Sequence, residues 1–454
     1  MKRTLLMITY AFSPAAYSGV HRVLHLARFL PRFGWQPIIL TVKEGNYGLI
    51  DPTLERHVPA EMLVHRTASF ELPSRRKIVA RPAAEQANWI DRLADGGSSP
   101  GSAWRAVKET ILTTVFIPDE KAGWIPPALM AGLRICRSES IDAIFSTAPP
   151  FSAHVVALLL KKVTGKPWVA DFRDPWSQNP FVRRPWLSRK AIDILERKVL
   201  AETGLNLINT EPMRQLFLRK HADIGPQKFV TLPNGFDPQD FEGLAPERFN
   251  RFTITHAGNF YGYRTPRPFL LALRNWLRKT NLAASEVQVI FIGAGEVNLM
   301  AEVKTLGLEA FVKVFGFLPH RECLRYLKGS DLLLVVTGSG EGSHVFIPAK
   351  VYEYLGAGRP ILTLAPPGAC SDLVRSTRTG IVLPPDDVEA IERGLSDLFL
   401  AYKAGALTYD PLVDEVEKYR SDRLAGRLAS LLDVVAAGLP AECEAWISGG
   451  TKSR

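Results

Sequence analysis

Cysteine is scarce. The 454-residue chain has four, Cys136, Cys323, Cys370 and Cys443, with no Cys-x-x-Cys pair and no histidine cluster beside them. That spacing excludes the common zinc ligand sets and a disulfide framework, and it fits a reducing cytoplasm. Long apolar runs are lacking as well. The longest charge-free stretch, 143–160, is interrupted by Pro149, Pro150, His154 and several hydroxyls, so it reads as strand, loop and helix with no membrane span. The opening MKRTLLMITYAFSPAA has a short apolar run after Lys2 and Arg3, broken by Thr9 and Tyr10. It is expected to be a first buried strand rather than an export leader. There is no Gly-x-Gly-x-x-Gly fingerprint for a dinucleotide. No Asp-x-Asp pair sits between strands, where a metal-held diphosphate clamp would need it.

What is present is ordinary globular composition, 46% apolar and 22% charged, in a chain too long for one typical core. Net charge is +10 and the pI about 9.4, enough to steer phosphorylated small molecules, an anionic membrane or nucleic acid. The basic residues form no long runs interleaved with aromatics, so nucleic acid is excluded as the expected partner. The densest cluster, FVRRPWLSRKAIDILERKVL at 181–200, has Ile192, Leu195 and Val199 at helical spacing. It is either a solvated helix with its core face inward or a peripheral membrane contact with Trp186 as interfacial anchor.

Short apolar strands alternate with amphipathic helices, which implies parallel sheets covered on both faces. Strands are expected at 5–8, 36–42, 143–146, 168–171 and 205–208. A second series is expected at 252–256, 287–292, 312–315, 332–336, 360–364 and 380–383. This divides the chain into a Rossmann-like domain at 1–230, with an insertion at about 72–120, and a second at 231–411. A helix within 412–436 is expected to cross back to the first domain, followed by a tail at 437–454. The fold class is therefore α/β, with two doubly wound domains facing a central cleft.

Ligands of open parallel sheets bind beyond the carboxyl ends of the strands. Three stretches lie there. The loop SPAAYSGVHR offers Gly19 and a helix start, suited to phosphate but equally a plain strand–helix turn. THAGNFYGYRTPRP, at 255–268, presents Arg264 and Arg267, either as diphosphate ligands or as exposed loop residues. IPAKVYEYLGAGRPIL, at 347–362, places Lys350 and Glu353 three apart at a helix start. Glu353 can accept two hydroxyls of a ribose diol and Lys350 can add positive charge; alternatively they are a helix cap and a surface lysine.

PNGFD, FIGAG, VKVFGFLPH, SDLLLVV, PAKVYEYLGAGRPIL and TGIVLPPDD follow one another between Pro233 and Asp387. In this order they resemble the second domain of retaining glycosyltransferases of family 4, with the GT-B fold. FIPDEKAGWIPPA, FSTAPPFSAH and PWVADFRDPW resemble a bacterial branch that builds cell-surface polysaccharides. The resemblance covers nearly the whole chain except 72–112 and the stretch beyond Val435.

It implies an enzyme that moves a sugar from a nucleotide-diphosphate sugar to a saccharide acceptor, expected to be lipid-linked, with retention of configuration and no metal or other cofactor. It also implies a cytoplasmic protein, peripheral on the inner face of the plasma membrane. By resemblance Glu353 holds the ribose, and Arg264, six positions after Gly258, neutralises the diphosphate. Asn259 stands where the family has arginine, and Lys350 compensates for it. Ser18 and Gly19 approach the diphosphate. The family's glutamate eight positions before Glu353 is Val345 here; either Glu341 replaces it through a longer loop or the role is absent. In Asp171-Phe172-Arg173-Asp174, Arg173 replaces the family's histidine, which leaves Asp171 or Asp174 to orient or deprotonate the acceptor hydroxyl, or else to pair with Arg173 as loop structure. The alternatives are a non-hydrolysing nucleotide-sugar epimerase and a non-catalytic partner that binds a sugar nucleotide.

Overall fold

A computed structural model of the chain describes residues 2–70, 78–85, 117–182, 184–293 and 299–438. Most of the expected insertion, Arg183, the end of the FIGAG motif, Cys443 and the tail lie outside these residues. Two compact units emerge.

In the first, strands β1 (Arg3–Ile8), β2 (Trp35–Val42), β3 (Leu63–Thr67), β4 (Ala143–Ala148), β5 (Trp168–Phe172), β6 (Leu205–Ile208) and β7 (Phe229–Thr231) form one sheet. Their order is β3-β2-β1-β4-β5-β6-β7 and all neighbours are parallel. Leu6 on the central strand lies between Ile38 and Ile144, and its burial reflects a sheet covered on both faces. The order reverses between β1 and β4, so the loops leaving those strands mark this unit's switch point. Helix α1 (Ser18–Phe29) follows β1 directly. Helix α2 (Trp186–Glu202) contains the basic cluster and buries Ile192, Val199 and Leu200 on one side.

The second unit repeats the plan with β8 (Phe252–Ala257), β9 (Val287–Ile292), β10 (Val312–Phe315), β11 (Leu332–Val336), β12 (Ile361–Leu364) and β13 (Gly380–Leu383). Their order is β10-β9-β8-β11-β12-β13, parallel throughout. One face is covered by Phe269, Leu270, Leu273, Trp276 and Leu277, which fall at helical spacing on Arg267–Thr280. The other is covered partly by Val351, Tyr354 and Leu355 of helix α3 (Ala349–Ala357). The switch point lies between β8 and β11.

Three differences from the sequence expectation have physical reasons. LVHRT forms β3 although it alternates poorly, because it is an edge strand whose Leu63 is exposed. The stretch 414–435 is two helices, Val413–Glu417 and α4 (Ser421–Ala436), with a break at 418–420. Within the expected insertion, residues 79–85 pack with the second unit: Arg81 N donates to Phe317 O at 3.1 Å and Ala83 N to Glu322 Oε1 at 2.9 Å.

Helix α4 packs with the first unit. Leu424, Leu428 and Leu432 join the core beside Val23, Leu24 and Phe29. Arg3 and Trp35 both donate to Asp433, at 2.7 and 3.0 Å.

Candidate functional site

In the second unit, loops leaving β8 and β11 flank the switch point and carry the expected donor-binding residues. Glu353, in the second turn of α3, is bracketed. Lys350 Nζ donates to its Oε2 at 2.7 Å, and His320 Nε2 lies 3.3 Å from its Oε1. The Glu353 side chain is 13% exposed, with its carboxylate held between two cationic or donor groups. Burial alone would pull the Lys350 ammonium down, but Glu353 chiefly outweighs it, so its pKa is raised and Lys350 stays charged. The helix is fixed from behind: Ala257 N donates to Tyr354 Oη at 2.7 Å, and Tyr354 Oη donates to Leu334 O at 3.2 Å. These bonds tie the residue next to Glu353 to the end of β8 and the middle of β11.

His256 also meets Leu334 O through Nδ1, at 2.9 Å, which makes Nδ1 the protonated nitrogen. Its ring stacks on Phe260 with centroids 4.5 Å apart. Burial pushes its pKa down to about 4, so it is neutral.

Gly258 ends β8 and Asn259 beside it is exposed. Arg264 is buried, donates through Nη1 to Tyr261 Oη at 2.6 Å, and lies 4.9 Å from the Tyr261 ring and 5.9 Å from that of Phe346. The 337–346 loop wraps it closely. A Cβ on Gly340 would fall 1.9 Å from Tyr263 Cδ1, and one on Gly338, at φ +70°, would fall 2.4 Å from Tyr263 O. These two glycines permit the β11 loop, and Glu341 with it, to lie against the Arg264 loop. Glu341 itself is exposed. Arg267 turns away and pairs with Glu302 at 3.2 Å on the surface.

The first unit presents the loops after β1, β4 and β5. Ser18 is exposed at the start of α1, whose first turn has neither an acidic residue nor a side-chain cap. Gly19 touches the guanidinium of Arg173, since a Cβ there would fall 1.2 Å from Arg173 Nη1. Arg173 is held by Ala148 O, at 3.2 Å from its Nε, and by Pro149 O. Burial disfavours its charged form, and Asp171 and Asp174 oppose that.

Asp171 is differently placed from its expected role. It is wholly buried, both oxygens accept from Arg22, and Oδ2 also accepts from Thr147 Oγ1 at 2.7 Å. A carboxylate so enclosed cannot reach an acceptor hydroxyl. Asp174, half-buried, is the carboxylate of this motif that retains a surface.

Sequence reading missed three residues that order these sites. Arg22 looked like one more polar position on an amphipathic helix. His320 ends the motif VKVFGFLPH, in which nothing marks its ring as a partner of Glu353. His154 is buried among Phe172, Phe151 and Trp176, with Nδ1 2.8 Å from Ser146 Oγ. Burial lowers its pKa to about 3, so it supports the loop as a neutral ring.

Residues 19–235 match the family model described as glycosyl transferase 4-like domain, and residues 251–400 match that of glycosyl transferases group 1. Together the two glycosyltransferase matches span most of the chain. Over 157 residues the chain is 27% identical to the amylovoran biosynthesis glycosyltransferase AmsK of Erwinia amylovora, a match spanning 33% of this chain and 37% of that protein. Among solved structures it is similar to Anabaena Alr3699/HepE in complex with UDP and glucose, with TM-score 0.57 and 14% identity over 96% of this chain and 98% of that one. It is also similar to sucrose-phosphate synthase from Thermosynechococcus elongatus, with TM-score 0.62 and 16% identity over 96% and 100%. At such identities the likeness concerns the fold, and that fold is GT-B.

Proposed function

We propose that this protein is a retaining glycosyltransferase of family 4. It moves a sugar from a nucleotide-diphosphate sugar to a lipid-linked saccharide in the synthesis of a cell-surface polysaccharide. The observation that carries the reading is Glu353 bracketed by Lys350 and His320 in the domain that matches the group 1 model. A carboxylate at this place suits two ribose hydroxyls, which donate to it. Arg264 and Lys350 supply positive charge where the leaving diphosphate gains negative charge, so the reaction needs no metal or other cofactor. In the transfer the bond from the anomeric carbon to the diphosphate breaks and a bond to the acceptor oxygen forms on the same face. Asp174 orients the acceptor hydroxyl, Arg173 with the α1 terminus around Ser18 and Gly19 faces the phosphates, and Glu341 contacts the donor sugar. The amylovoran relative and the neighbour bound to UDP and glucose support a hexosyl donor and a polysaccharide product. A lipid-linked acceptor places the enzyme at the inner face of the plasma membrane.

The test is a panel of nucleotide sugars with a lipid-linked saccharide acceptor. The expected result is free nucleoside diphosphate released only when acceptor is added, undiminished by a chelator, with the anomeric configuration kept in the product. Conversion of the nucleotide sugar without acceptor would make it an epimerase instead, and binding without either reaction a non-catalytic partner.

A further inference from the structure

Helix α2 turns its apolar residues in two opposite directions. Ile192, Val199 and Leu200 face the core, as expected. Trp186, Leu187 and Ile194 face outward and are 55%, 68% and 70% exposed, with Val182 just before the helix at 40%. At 100° per residue, positions 186, 187, 190, 194 and 198 fall on one arc of the helix. This arc contains Lys190 and Lys198 and no acidic residue. Lys190 Nζ lies 4.3 Å from the centre of the Trp186 ring, so cation and aromatic share one surface.

The acidic residues of the helix are neutralised elsewhere. Asp193 pairs with Lys220 at 2.5 Å, Glu196 is buried with Lys220 and His221, and Glu202, at the last position of the helix, lies 4.0 Å from Lys161. Not every basic residue of the cluster is available outside. Arg184 donates to Pro118 O and has two nitrogens buried, and Arg197 pairs with Asp223 at 2.5 Å. The outward charge is therefore Arg189, Lys190 and Lys198, each exposed, around an apolar strip.

We propose that the outer face of α2 is a docking surface for the interfacial zone of an anionic bilayer, with Trp186, Leu187 and Ile194 inserted among acyl chains and Arg189, Lys190 and Lys198 at the headgroups. Exposed tryptophan with leucine and isoleucine on a helix lying in the membrane plane matches the headgroup–acyl boundary, and the missing acidic residues match its negative charge. The inference rests on the proposed lipid-linked acceptor for its purpose, but its geometry stands apart from the donor residues.

The full-length protein is sedimented with phosphatidylglycerol–phosphatidylcholine vesicles and with phosphatidylcholine alone. The expected wild-type result is binding to the anionic vesicles, weakened but not abolished by high salt. Removing three surface charges in Arg189→Gln/Lys190→Gln/Lys198→Gln should lower partitioning by roughly a hundredfold. Trp186→Ser/Leu187→Ser/Ile194→Ser should remove the salt-resistant part, with melting temperature and nucleotide-sugar affinity unchanged for both variants. Wild-type protein that ignores vesicles, or serine variants that bind as before, would overturn the proposal. So would a serine variant that changes the sedimenting mass in solution, since the face would then join two copies. Vesicle binding without nucleotide-sugar binding would overturn the glycosyltransfer reading and leave this one intact.

Discussion

Arg22 and Asp171 meet edge to edge in the interior of the first unit. Nε and Nη2 of the arginine donate to the two carboxylate oxygens at 2.9 and 2.7 Å. The remaining guanidinium hydrogens reach Leu232 O, Pro233 O and Asn234 Oδ1 at 2.9, 2.6 and 3.2 Å. All five donors of the arginine are thus used. They join α1, the end of β5 and the backbone after β7. Removing one partner leaves a buried charge alone, which costs about 3–5 kcal/mol. Asp171→Ala should therefore lower unfolding free energy by that order in a denaturant titration. Asp174→Asn should leave stability nearly unchanged and reduce acceptor-dependent transfer. Equal stability losses in the two variants would remove the distinction between them.

Glu353→Gln keeps the side-chain shape and loses the charge that serves Lys350, His320 and the proposed ribose diol. Hydrogen bonds to a charged group are worth roughly 1.5–3 kcal/mol, so nucleotide-sugar affinity should fall about tenfold to a hundredfold in calorimetric titration. If the carboxylate serves only the helix, the loss appears in melting temperature and donor affinity survives.

Gly19 and Arg173 compete for one volume. Gly19 has no positive φ, and the atoms nearest an alanine Cβ there all belong to the Arg173 guanidinium. Gly19→Ala should destabilise the wild-type background, whereas in Arg173→Ala it should be neutral or stabilising by up to about 1 kcal/mol, the ordinary gain of alanine over glycine in a helix. A penalty that persists without Arg173 would show that something else fills the space.

His256 predicts a pH dependence. It is neutral in the native protein down to about pH 4, while an unfolded chain protonates it near 6.5. Between those values the unfolded state holds the extra proton, so stability falls as pH is lowered, by about 1.4 kcal/mol per pH unit for such a histidine. His154, lowered to about 3, acts in the same direction. His256→Asn retains an N–H for Leu334 O and should flatten the decline over this range. Parallel stability curves for variant and wild type would contradict the assignment.

The sequence made the strands legible where both faces are buried. VQVIFI and LLLVV occur where apolar runs, the first broken only by Gln288, put them. It concealed LVHRT, whose edge position lets it keep polar residues, and FVT, too short to show a period. Lys350, Glu353 and Arg264 were visible because each sits beside a strand end in local motifs. Arg22 was not, because its partners lie 149 and about 210 residues away and no local pattern marks such a pairing. The same holds for His320, which meets Glu353 across 33 residues, from a different helix.

Helix α4 supplies Leu424, Leu428 and Leu432 to a core otherwise made by the first part of the chain. During synthesis, everything up to Asn234 leaves the ribosome with that apolar seam open. The second unit, made of Gly235–Arg420 and the earlier residues 79–85, is complete before the seam can close. The first unit to be translated is therefore the last to finish folding. A chain ended before Ser421 would carry an intact second unit joined to a first one with a hydrophobic groove exposed to water.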